Sequence, residues 1–142
     1  MRRLRALRGD AGQSLVEFAL MLPVLLLLMV GTVDVGRGFQ AYVALGDAVR
    51  ETARQAAVHG SGASVQWGPT ANDAHVTADL RSRAVGLVGS AITVTSTWPS
   101  GANDQGDEAV ISATYSFVPI ASTLLHGVTL PLSATTRVFI QR

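Results

Sequence analysis

The chain has 142 residues, room for one domain of ordinary size, and is 48% hydrophobic but only 6% aromatic, so a core must rest on Ala, Val, Leu and Ile. It has no cysteine, which excludes a disulfide framework and a thiolate metal site and is silent on compartment. The formal net charge of +1 hides an asymmetry: Arg2, Arg3, Arg5 and Arg8 crowd the start, while residues 13–142 carry seven basic and nine acidic side chains, a balance that argues against a nucleic-acid partner.

Residues 18–33 read FALMLPVLLLLMVGTV, an uncharged run that approaches the roughly 20 residues needed to cross a hydrocarbon core of about 30 Å. Four arginines before it, against Asp34 and Arg37 after it, orient a single-pass segment in the cytoplasmic (inner) membrane with its amino terminus in the cytoplasm and the rest outside. The organisation expected is a leader at 1–12, a transmembrane helix at 13–34, an extracytoplasmic continuation of that helix at 35–60 and a small globular domain at 61–142. An ordinary secretory signal is the competing reading. It fits less well, because small-x-small sites are poor after Val30, the helical pattern continues past Asp34, and Glu17 stands inside the run.

A carboxylate one turn into an apolar helix costs about 2.5 to 3.5 kcal/mol on insertion scales, so Glu17 needs a partner or a function. If the chain is cut between Gly12 and Gln13, Gln13 gains a free α-amine and Glu17 becomes the fifth residue, one helical turn along. Between neighbouring subunits that carboxylate can meet that amine, and assembly would neutralise both groups.

The stretch GQSLVEFALMLPVLLLLMVGTVDVGRG, followed by VRETARQAAVHG, resembles the TadE-like pseudopilins of the tight-adherence (Flp, type IVb/IVc) pilus system. Over residues 9–60 the resemblance rests on Gly12, the Glu17-Phe18 pair, Pro23, Gly36-Arg37 and the run at residues 50–57. The last third, AVISATYSFVPI and LPLSATTRVFIQR, is similar more weakly. The resemblance implies a leader cut by a prepilin peptidase of the inner membrane, with Gly12 and Gln13 flanking the cut and Phe18 and Pro23 serving recognition and helix packing. It also implies other pilin subunits, an inner-membrane assembly platform and membrane lipid as partners, and a minor-pilin role in assembly or adhesion. Glutamine after the cut departs from the hydrophobic start of other pilins and leaves methylation of the amine open.

Beyond the span, Val35, Phe39, Tyr42, Gly46, Val49, Ala53 and Ala56 recur in steps of four and three and predict one helical stripe. Asp47 with Arg50, and Glu51 with Arg54, are spaced to pair. One nearly continuous helix is expected from residue 14 to about 59, with Pro23 and the glycines 31, 36 and 38 as the places for a kink or for close helix packing. GSGAS and QWGPT read as loop before Asn72 or Asp73 caps a second helix, whose apolar face is Val76, Leu80, Ala84, Leu87 and Val88 and which ends near Gly89.

Period-two patterns then place Ile92, Val94 and Trp98 on one strand and Ile111, Ala113, Tyr115 and Phe117 on a second, with Leu132, Ala134, Val138 and Ile140 on a third. SGANDQGDE is the polar hairpin loop between the first two. The fold class expected is α+β: a long amino-terminal helix, part transmembrane and part amphipathic, a second helix, and a small antiparallel three-stranded sheet, pilin-like in arrangement.

Chemistry finds little purchase. GTVDVGRG has phosphate-loop glycine spacing but carries Arg37 and Gly38 where lysine and a hydroxyl belong. His59, His75 and His126 are far apart, and no cofactor or metal is expected; Asn103, Asp104, Asp107 and Glu108 are weak calcium candidates, but the loop lacks an EF-hand register and reads first as a solvated turn. No G-x-S-x-G elbow exists, so no enzyme is expected. Trp67 and Trp98 read as core before contact. A membrane-anchored or secreted binding module is the alternative to the pilin reading, and it predicts indifference to changes at Gly12 and Glu17.

Overall fold

A computed structural model describes residues 7–123 and 127–141; Arg2, Arg3, Arg5 and His126 lie outside the described residues. The protein is α+β: helix α1 (Leu7–Val58), helix α2 (Ala74–Arg83) and strands β1 (Ile92–Thr97), β2 (Glu108–Phe117) and β3 (Leu130–Phe139). The strands form one antiparallel meander in the order β1-β2-β3. Register pairs Ile92 with Tyr115 and Thr97 with Val110 on one side of β2, and Glu108 with Phe139 and Phe117 with Leu130 on the other.

At 1.5 Å per residue the 52 residues of α1 rise about 78 Å. It begins seven residues earlier than the expected start at Ser14, because nothing between Leu7 and Gln13 breaks a helix; glycine costs only about 1 kcal/mol there. It also passes Pro23 without a break in the assigned helix.

The sheet lies lengthwise on the second half of α1. At one end Phe117 packs over Gly38, where an added Cβ would sit 3.5 Å from the ring; at the other the Gln141 N–H donates to the Ala57 carbonyl at 2.8 Å. Helix and strand match in length, since residues 38–57 rise about 29 Å and ten strand residues about 33 Å. Helix α2 closes one side, joined to α1 through the Thr52 hydroxyl, which donates to Asp79 at 2.9 Å, and through Arg83, which pairs with Asp79 at 2.7 Å and Glu51 at 3.8 Å. Leu45, Val49, Val76, Leu80, Ile92 and Ile111 are fully buried between these layers.

The expected stripe on α1 is only half right. Val49, Ala53 and Ala56 are buried, but Val35, Phe39 and Tyr42 stay 74%, 69% and 53% exposed. The face that meets the sheet near the span is Asp34, Gly38, Ala41, Leu45 and Ala48, equally periodic and built of smaller groups that let β2 and β3 approach closely. The outward pairs form as spaced: Asp47–Arg50 at 3.0 Å and Glu51–Arg54 at 3.4 Å.

Helix α2 stops at Arg83, short of Gly89. Its last turn closes with the Ala84 N–H on the Leu80 carbonyl at 3.0 Å, after which Ala84 takes φ −73° and ψ 64° and the Val85 N–H donates to the Arg83 carbonyl at 2.7 Å, an inverse γ-turn that ends the helix. Leu87 still packs on the core while Val88 is exposed. Asp73 is the cap: its carboxylate accepts from the backbone N–H groups of His75 at 2.8 Å and Val76 at 3.2 Å. Strand β3 stops at Phe139, and Ile140 is buried just past it, held by backbone bonds to Gly106 and Asp107.

Candidate membrane anchor and assembly segment

The first half of α1 stands clear of the sheet domain, so its side chains from residue 15 to 29 point outward around the whole helix. Leu15, Phe18, Leu20, Met21, Leu25, Leu28 and Met29 are each exposed, and the helix contains a stretch long and apolar enough to cross a membrane with none of it buried. A surface of that kind is stable only in lipid or against other apolar helices. The backbone of a helix needs no outside partner there.

Gly12, Gln13, Glu17, Phe18 and Pro23 all lie on this helix, exposed. The peptide between Gly12 and Gln13 is helical, and a Cβ added at Gly12 would touch nothing. Gln13 and Glu17 are four residues apart and therefore on one face. No hydrogen-bond or ion-pair partner of Glu17 occurs among the described residues. Gly31 and Gly36 present open faces, whereas Gly38 is packed under Phe117. Near the end of the run the Thr32 hydroxyl donates back to the Leu28 carbonyl at 2.9 Å, which satisfies it within the helix.

Asp34, which the sequence marked only as the end of the uncharged run, is the joint between anchor and domain. Its carboxylate is buried and accepts from the backbone N–H groups of Ile120 and Ala121, both at 2.8 Å, at the start of a 3₁₀ turn (Ile120–Thr123). Arg37 adds an ion pair at 3.1 Å and lies 5.5 Å from the Phe117 ring centre, a cation–π contact. A carboxylate oxygen on each of two turn amides is the arrangement of a helix cap, supplied here from a distant helix. The available signal was a charge directly after an apolar run with an arginine three residues on; its partners, 86 and 87 positions away, left none.

At the far end Asn103 is the keystone, not a cation ligand in a solvated turn. It is 3% exposed; its Oδ1 accepts from Trp98 Nε1 at 3.1 Å, and its Nδ2 donates to the Trp67 carbonyl. Trp67 and Trp98 are core, as expected, and Trp67 stacks on His59 with ring centres 4.6 Å apart. Asp104, Asp107 and Glu108 do not converge: Asp107 accepts the Asp104 N–H at 2.9 Å and Glu108 turns to Arg137 at 3.3 Å. Among the described residues no three acidic or histidine side chains are grouped to hold a metal ion.

Together these features define a class: an α+β protein whose amino-terminal apolar helix fits a single-pass anchor and whose extension serves as the spine of a small sheet domain. The model of the TadE-like protein family matches residues 12–54, so this region is similar to that family. It covers Gly12, Glu17, Pro23 and Asp34 and stops inside α1, before the sheet. Neither a curated protein nor a solved structure matches the chain.

Proposed function

We propose that the protein is a minor pilin of a tight-adherence pilus, a non-enzymatic subunit made with a leader at residues 1–12 that a prepilin peptidase removes. The observation that carries this reading is the TadE-like match, which begins at Gly12 and runs along the exposed apolar helix that holds Glu17.

The chemistry follows from where the cut falls. Severing the Gly12–Gln13 bond leaves a charged amine and the unpaired first-turn N–H groups at the new helix start, together with the positive end of the helix dipole. Glu17 of an adjacent subunit supplies the missing negative charge. An amine at position 13 reaches a carboxylate at position 17 of a parallel neighbour when the two helices are offset by about 6 Å, four residues of rise. Each contact removes two charges that are costly in apolar surroundings, so the pairing drives assembly and sets its axial step.

The domain beyond Gly60 then faces the extracytoplasmic side, where it selects neighbours or a surface. Its working partners are other pilin subunits, the peptidase, the assembly platform and lipid.

Replacing Gly12 with leucine tests the reading. The Gly12→Leu chain should remain at precursor size on a gel while wild type shortens. Equal shortening of both would remove the peptidase from the account and favour an ordinary signal or anchor.

A further inference from the structure

The sheet domain is chemically polarised along the helix. Asp104, Asp107 and Glu108 lie at its far end, whereas residues 109–136 contain no Asp, Glu, Lys or Arg at all. The near end of that uncharged stretch is the β2–β3 connection. Asp34 fixes it to α1 through the amides of Ile120 and Ala121, at the level where the apolar run stops.

Around this level Val35, Phe39, Val118, Ile120, Val128 and Leu130 are between 48% and 74% exposed. They continue the sleeve of exposed apolar side chains below. Of the two charges at this level, Asp34 is buried against the two amides, and Arg37, paired with Asp34 and lying over the Phe117 ring, keeps about half of its side chain exposed, where its head can reach the headgroups.

We infer that this collar is a second membrane contact: it rests in the boundary between headgroups and acyl chains of the leaflet that faces the sheet domain, and so holds the domain seated on the bilayer rather than free above it. The dimensions agree. Phe39 lies five residues past Asp34, about 7.5 Å along the helix, and the boundary region into which apolar faces sink is about 5–10 Å deep. Tyr42, half exposed one turn further on, has the ring and hydroxyl suited to the headgroup level. Lipid is favoured over a second copy of the chain as occupant, because the collar is continuous with the exposed apolar span and brings Val35 and Phe39 of α1 beside Leu130 of β3. The inference rests on the membrane anchor and not on the pilus role.

The absence of native cysteine makes the test direct. Full-length protein carrying a single fluorophore at Val118→Cys, Val128→Cys, Leu25→Cys or Gln105→Cys is placed in vesicles of phosphatidylcholine with a minor share of phosphatidylglycerol. Doxyl-labelled lipids quench either just below the headgroups or deep in the chains. The expected result is shallow quenching of the labels at 118 and 128 by at least about twofold over the exposed distal site at 105, and deep quenching at 25. Labels at 118 and 128 that behave like 105 while 25 is quenched would overturn the collar and leave the anchor standing. Protection at 118 and 128 that appears only as the protein-to-lipid ratio rises would assign the face to a second copy. No quenching at 25 would remove the anchor, and the collar with it.

Discussion

The Asp34 carboxylate accepts the backbone N–H of Ala121, 87 positions away, at 2.8 Å, and this contact fastens the foot of the sheet domain to the helix where the apolar run ends. The Ile120 amide binds its other oxygen at the same distance. Both oxygens are used, so an amide side chain is a poor substitute: Asn presents one acceptor, and its NH₂ would face an N–H.

Asp34→Asn should therefore speed hydrogen exchange of the Ile120 and Ala121 amides by on the order of tenfold, with Asp34→Ala showing a larger effect and the β1 amides keeping their wild-type protection. Exchange measured by mass spectrometry in micelles checks this. Unchanged rates at 120 and 121 would mean that the joint does not hold the turn.

Asn103→Ala should lower the stability of the sheet domain by about 2–3 kcal/mol, because it strips partners from the Trp98 indole N–H and the Trp67 carbonyl, both inside the core. The corresponding fall in melting temperature is on the order of 10 °C by circular dichroism. Added calcium should leave the wild-type melting curve where it is; a calcium-dependent rise would restore the loop as an ion site.

Asp73→Ala removes the cap of α2 and also the carboxylate oxygen that accepts the Gly68 N–H at 3.1 Å. A loss of about 1–2 kcal/mol is expected, with Asp73→Asn or Asp73→Ser recovering part of it. Thermal melts of the three variants, compared pairwise, separate the cap from the Gly68 contact, since serine is too short to keep both.

Element types could be read from the sequence because each rests on local chemistry. The uncharged run, the Asp73 cap, and the alternation of Ile111, Ala113, Tyr115 and Phe117 with Ser112, Thr114 and Ser116 are all visible within one turn or one strand, and the structure bears each out. The face of α1 was not readable in the same way. Two stripes with the same period run along it, and only the sheet's need for small groups at Gly38 and Ala41 chooses between them. Asp34 was overlooked as a joint, and Asn103 was misjudged, for a related reason. A polar residue in a polar loop or at the edge of an apolar run looks solvated, and its burial is decided by partners 86 residues away at Ile120 and 36 away at Trp67. The apolar run of the anchor, by contrast, is legible from composition alone, and the TadE-like match covers that segment.

Glu17→Ala should be cut at Gly12 like wild type yet fail to enter filaments, since the change leaves the cut site intact and removes only the carboxylate offered to the neighbouring amine. Immunoblots of sheared pili against membranes read this directly, with a drop of at least about tenfold in the sheared fraction expected for a lost charge pair in apolar surroundings. Wild-type incorporation would show that Glu17 does not guide assembly.

The central claim is that Gly12 and Glu17 act as a linked pair, the first deciding where an amine appears and the second giving it a partner. The mass of the amino-terminal peptide of the membrane-embedded protein tests it most directly. A mature chain that begins at Gln13 is predicted. A chain that retains Met1, or one cut near Val33 at the end of the apolar run, would contradict it.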